Sequence, residues 1–96
     1  MRLVRFRNKG LRQLHEIDSA KGLPPSMVDK LHKLLFAIEA ADTVDQLGRF
    51  PGWKLHPLKG DLRGFWSLTV TGNWRVIFRY DETTNTASEI DLIDYH

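Results

Sequence analysis

The hydrophobic pattern of this chain changes period once, at "GRFPGW" around Pro51 and Gly52, and that change limits what the chain can become. Upstream the period is helical. "KGLRQLHEIDSAKG" places Leu11, Leu14 and Ile17 three apart, a narrow stripe that Gly22 closes. "LPPSMVDKLHKLLFAIEAAD" opens on Pro24 and Pro25, where a missing N–H matters little, and gathers Met27, Val28, Leu31, Leu34, Leu35 and Ile38 on one face. Downstream the period is two. "GFWSLTV" sets Trp66, Leu68 and Val70 against Phe65, Ser67 and Thr69, "TGN" supplies a tight turn, and "NWRVIFRY" sets Trp74, Val76 and Phe78 against Arg75, Ile77 and Arg79. After "DETTNT", "ASEIDLIDY" opposes Ile90 and Leu92 to Glu89 and Asp91. "RLVRFR" reads as a first strand, "WKLH" as a strand before the hairpin, and "TVDQLGRFPG" as a connector with room for one helical turn. Two helices followed by antiparallel strands is the α+β pattern: two N-terminal helices packed on one face of a mainly antiparallel sheet of about four strands. Residues 1–96 suit one domain with one core.

The residue inventory removes several chemistries. With no cysteine there is no disulfide, thiolate metal site or cysteine nucleophile. His15, His32, His56 and His96 are scattered without ligand spacing, so no metal and no cofactor is expected. The longest apolar run, Leu34 to Ile38, is far short of the roughly 20 residues of a membrane span. "MRLVRFRNKG" lacks the apolar stretch of a signal peptide, which leaves a cytoplasmic location as the expectation.

Charge is distributed unevenly. The formal net charge is +2, yet residues 49–79 carry Arg49, Lys54, Lys59, Arg63, Arg75 and Arg79 against Asp61 alone, while residues 80–96 carry five acids and no Lys or Arg. A basic stripe of this kind suits a polyanion such as nucleic acid. The competing reading is that the acidic last strand pairs with its basic neighbour and neutralises the stripe.

The densest group of reactive side chains is "KLHPLKGDLRGFW", with His56, Lys59 and Arg63 around Pro57 and Gly60. Cutting RNA without a metal requires a base for the ribose 2′-hydroxyl, cations for the charge that builds on phosphorus, and an acid for the leaving 5′-oxygen. His56 suits proton transfer, and Lys59 with Arg75 suits the phosphate, one as a point charge and the other as a bidentate fork. Taken alone, the same residues more readily describe a solvated loop entering a sheet. Trp66 and Trp74 belong with the core by alternation, whereas Trp53 and Phe65 stay open as base-stacking candidates. His15 and His32 lie on the helices among polar neighbours and carry no role.

"KLHPLKGDLRGFWSLTVTGNWRVIF", the terminal "DYH" and the opening "FRNKGLRQL" together resemble the HigB branch of the RelE-type toxins of bacterial type II toxin–antitoxin pairs, once called plasmid-maintenance killer proteins. The likeness spans almost the whole chain and is weakest from Arg49 to Trp53 and in "DETTNT". The resemblance implies a RelE-like fold and a ribosome-dependent messenger-RNA endoribonuclease that cuts translated mRNA in the A site. It implies activity residues at His56, Lys59, Arg75, Asp94, Tyr95 and His96; Arg79, Arg63 and Lys54 of the basic stripe join Lys59 and Arg75 as the candidates for holding RNA. Which of His56, Tyr95 and His96 is acid and which is base stays open. The implied partners are a HigA-type helix-turn-helix antitoxin, the 70S ribosome and mRNA, with operator DNA reached only through the antitoxin and no membrane. An inactive RNA- or ribosome-binding relative of the same fold, and a purely structural domain, are the alternatives. The strand reading adds that Leu92 should anchor the chain end in the core while the last residues project near the loops of His56 and Lys59.

Overall fold

The computed structural model describes residues 1–95. In chain order it contains β1 (Arg2–Leu3), α1 (Lys9–Ile17), a 3₁₀ turn (Pro25–Met27) leading into α2 (Val28–Ala40), a 3₁₀ helix (Val44–Arg49), β2 (His56–Pro57), a 3₁₀ turn (Gly60–Leu62), β3 (Phe65–Thr71), β4 (Trp74–Asp81) and β5 (Thr86–Asp94). The strands form one sheet in the order β1-β5-β4-β3-β2. It has five strands where about four were expected, and the short first strand, expected from "RLVRFR", adds to the far edge in parallel with β5 through Arg2↔Thr86 and Leu3↔Ala87. The other pairings are antiparallel, as the alternation implies.

Helix α1 starts where Asn8 Oδ1 accepts the Leu11 N–H at 2.8 Å, satisfying an otherwise orphaned donor. It ends earlier than Gly22, at Asp18, which takes the left-handed conformation (φ 56°) that short polar side chains tolerate. Ile17 is therefore 69% exposed, and only Leu11 and Leu14 of the expected stripe are buried. Helix α2 buries Leu31, Leu34, Leu35 and Ile38 as its period requires, against β1 and β3. The Met1 ammonium donates to the carbonyls of Ile38, Glu39 and Ala41, which closes the C-terminal end of α2 with a positive charge. Among the described residues no helix is long and apolar enough to cross a membrane.

The main core lies between the helices and one sheet face, where Leu68, Val70, Val76, Phe78, Ala87 and Ile90 meet α1 and α2, with Trp66, Trp74 and Leu92 at its margin. The other face is not bare. Leu58, Phe65 and Ile77 form a second, smaller cluster there, flanked by Leu62 and Ile93. The segment after β2 thus folds down onto the sheet. This cluster takes Phe65 out of consideration as a base platform, since the residue is only 2% exposed. Trp53 is withdrawn as well, because it joins the main core and stacks on Phe50 with ring centroids 4.0 Å apart.

"WKLH" is shorter as a strand than its sequence suggests. Trp53 accepts the Thr69 N–H at 2.7 Å, but Lys54 turns left-handed (φ 49°), so regular pairing begins only at His56. In β5 the register shifts opposite Ile77–Arg79, and Glu89 in that stretch is left-handed (φ 52°).

Candidate active site

Register places the site residues. His56 pairs with Ser67, Ser67 with Ile77 and Ile77 with Asp91, while Thr69 pairs with Arg75 and Arg75 with Ile93. Directly paired residues project to the same side of a sheet, so His56 and Arg75 share the face away from the helices. Strand geometry puts their Cα atoms about 12 Å apart, a gap that two long side chains and one phosphodiester link can fill.

His56 is exposed, and its Nδ1 lies 2.8 Å from the Lys54 carbonyl oxygen. A carbonyl only accepts, so Nδ1 carries the proton and the neutral ring keeps its lone pair on Nε2. Arg75 is half-buried, and its Nη1 donates to the carbonyls of Gly72 (2.7 Å) and Trp74 (3.0 Å) at the β3–β4 turn. Those bonds fix the guanidinium in place while occupying only one of its nitrogens. Gly72 makes the turn possible with φ at 52°.

The chain end reaches the same turn. Tyr95 donates its backbone N–H to the Asn73 carbonyl at 2.8 Å and is 42% exposed. Asp94 pairs in register with Trp74, which puts it on the helix side rather than the face of Arg75. Tyr95 therefore lies at the turn that holds Arg75, with β4 and β3 between β5 and β2, whereas strand order in the sequence suggested the loops of His56 and Lys59 for the last residues. The pinning follows from pairing to the central strand β4. His96 lies outside the described residues.

Lys59, Arg79, Arg63 and Lys54 are the other cations expected at the site. Lys59 precedes the Gly60–Leu62 turn and is exposed, as are Lys54 and Arg63. Arg79 lies over the Phe65 ring at 4.5 Å from guanidinium carbon to centroid, and Arg7 lies over the same ring at 5.1 Å. A Cβ on Gly64 would come within 2.5 Å of Arg79 Nη1, so glycine there makes room for this stacking. Phe65 thus serves the site as a shelf for two cations rather than for a base. Glu89 of the acidic strand binds Arg5 Nη1 at 3.1 Å and Arg7 Nε at 2.9 Å, both outside the basic stripe of residues 49–79. Those bonds, the one from Arg7 foremost, hold the Glu89 carboxyl below the usual carboxylate range.

Sequence reasoning did not find three features. Arg7 joins the cations because β1 runs beside β5, a pairing with no local signal. Ser67 Oγ and Thr69 Oγ1, on the face between His56 and Arg75, are buried without a hydrogen-bond partner among the described residues. The left-handed backbone of Lys54 is the third. A larger concavity of about 740 Å³ lies elsewhere, between α2 and the Val44–Arg49 helix, lined by apolar groups such as Phe36, Phe50 and Trp53. His32, Lys33 and Arg49 also line it, but none of them belongs to the sheet face of His56 and Arg75.

The sequence pattern described as "RelE-like toxin of type II toxin-antitoxin system HigB" matches residues 4–96. The chain belongs to this family of HigB-like toxins. It is 41% identical over 91 residues to "Endoribonuclease HigB" of Proteus vulgaris, covering 95% of this chain and 96% of that protein. It is 32% identical over 78 residues to "Toxin HigB-1" of Vibrio cholerae serotype O1, covering 80% and 82%. The fold is similar to a chain in the crystal structure of the toxin–antitoxin complex RelBE2 from Mycobacterium tuberculosis, with a TM-score of 0.55 at 24% identity over 99% of this chain and 96% of that one. The RelE-like architecture expected of a HigB-like toxin is therefore present, and a toxin of this class has an antitoxin as its partner.

Proposed function

We propose that this HigB-like toxin is an endoribonuclease that cuts mRNA held in the ribosomal A site, through attack of a ribose 2′-oxygen on the adjacent phosphorus. The new bond joins 2′-O to phosphorus, the bond from phosphorus to the 5′-oxygen breaks, the 2′-hydroxyl proton passes to a base, and an acid protonates the leaving 5′-oxygen. His96 is the principal acid or base, and His56 and Tyr95 assist by proton transfer or orientation. Lys59 and Arg75 bind and stabilise the scissile phosphate. Asp94 either orients a neighbour or holds the strand end. Arg79, Arg63 and Lys54 guide the flanking backbone.

The observation that carries this reading is the shared face of His56 and Arg75, each held by backbone carbonyls, with the chain end fastened through Tyr95 to the turn that fixes Arg75. The likeness to a protein named endoribonuclease supports it. So few proton-transfer groups on an open face leave alignment of the 2′-oxygen, phosphorus and leaving oxygen to the ribosome. The protein acts in the cytoplasm and is held in check by a HigA-type helix-turn-helix antitoxin that carries the pair to operator DNA.

The test compares purified toxin on mRNA in programmed 70S ribosomes and on the same RNA free in solution. Cleavage confined to the ribosome, and lost in Arg75→Ala and His96→Ala, is expected. Robust cutting of free RNA at low protein concentration, or full activity of His96→Ala, would overturn the assignment.

A further inference from the structure

Lys54 sits where a regular strand was expected and interrupts it. Its φ of 49° is unfavourable for any residue with a Cβ, and neither glycine nor a short polar side chain occupies the position to ease it. Backbone kept in such a conformation is held there by its surroundings. On one side Trp53 is fixed by its ring in the core and its carbonyl on the Thr69 N–H, and on the other Leu55 packs against the same core. Between these anchors the peptide turns, and the Lys54 carbonyl meets His56 Nδ1 at 2.8 Å.

We infer that Lys54 is a positioning residue: its left-handed backbone aims its carbonyl at His56 Nδ1 and thereby makes Nε2 the atom that exchanges protons with RNA. This rests on the proposed role of His56 in the cleavage. The bond has two effects. It fixes the ring orientation, and it selects the Nδ1–H form of the neutral ring, the opposite of the form an isolated histidine side chain prefers. A base that acts through Nε2 then spends none of its time in the unproductive form. The role belongs to the main chain of Lys54 and is separate from the contribution of its ammonium to RNA binding.

Two substitutions separate the main chain from the charge. Lys54→Gly and Lys54→Val both remove the ammonium, but glycine adopts the left-handed conformation freely and a β-branched residue resists it. Two-bond ¹H–¹⁵N correlation spectra, with His56→Asn to assign the signal, report the tautomer of His56 directly. Wild type and Lys54→Gly should show Nδ1–H, and Lys54→Val should move toward Nε2–H. In ribosome-bound cleavage Lys54→Val should have a kcat about ten-fold below that of Lys54→Gly at similar KM, the size of one lost hydrogen bond. An Nε2–H signal in the wild type overturns the inference whatever the activity, and so does an equal tautomer and kcat in the two variants. If Lys54→Val does not fold, the wild-type and Lys54→Gly spectra still decide. Full activity of His56→Asn would sink the catalytic reading of His56 while leaving the tautomer assignment standing, so the two failures are distinguishable.

Discussion

Leu58→Ala tests whether the small cluster on the site face is a structural unit. Leu58 is 5% exposed and packs with Phe65 and Ile77. Three side-chain carbons are lost at about 0.8 kcal/mol each, which gives about 2.4 kcal/mol before any cavity is counted. The cavity term should be small, because Leu62 and Ile93 at the rim are only half-buried and can close in. The expected loss is about 2–3 kcal/mol, a fall in Tm of about 10–20 °C for a domain of this size. Urea unfolding should show it as a lower midpoint with an unchanged slope. Leu34→Ala in the main core, where Leu34 is 0% exposed and no rim can move in, should lose about 3–5 kcal/mol. Because Lys59 follows Leu58 directly, cleavage measured where the variant is still folded should fall as well. A loss below about 0.5 kcal/mol would refute the argument that the segment after β2 is packed onto the sheet.

Further outcomes follow from single contacts. Glu89 has a depressed carboxyl, so its stabilisation is present above the ordinary carboxylate range and is lost as pH falls through the lower folded-state value; Glu89→Gln should flatten the acid limb of a stability–pH curve. Ser67→Ala removes a buried hydroxyl without a partner among the described residues and should raise stability by about 1 kcal/mol, read as a higher urea midpoint. Asn8→Ala removes the cap of α1 and should lower stability by about 1 kcal/mol in the same assay.

The parts of the fold legible in the sequence are those written in local periodicity. The α2 stripe and the alternation in β3 and β4 are repeated within one or two turns or pleats, so each residue supports the reading of its neighbours. What escaped depends on distant pairing or on one backbone angle. β1 finds β5 across most of the chain, which brings Arg7 to Phe65, and the pairing of β5 with β4 carries Tyr95 to the β3–β4 turn. Lys54 breaks "WKLH" through a single φ value that no residue preference announces. His56, Arg75 and Arg79 were legible as reactive types, and alternation put Arg75 and Arg79 on one face, whereas the face of His56 follows only from its pairing with Ser67. The bonds that orient them were not legible, because they are made by the backbone of Lys54, Gly72 and Trp74 and by the ring of Phe65.

The central claim is the chemistry of the cut, and the ends it leaves test that claim most directly. After cleavage of ribosome-bound mRNA, the upstream fragment should carry a 2′,3′-cyclic phosphate or its opened 2′- or 3′-phosphate, and the downstream fragment a 5′-hydroxyl. A 5′-phosphate on the downstream fragment would contradict attack by the 2′-oxygen and the roles assigned to His56, Lys59, Arg75 and the chain end.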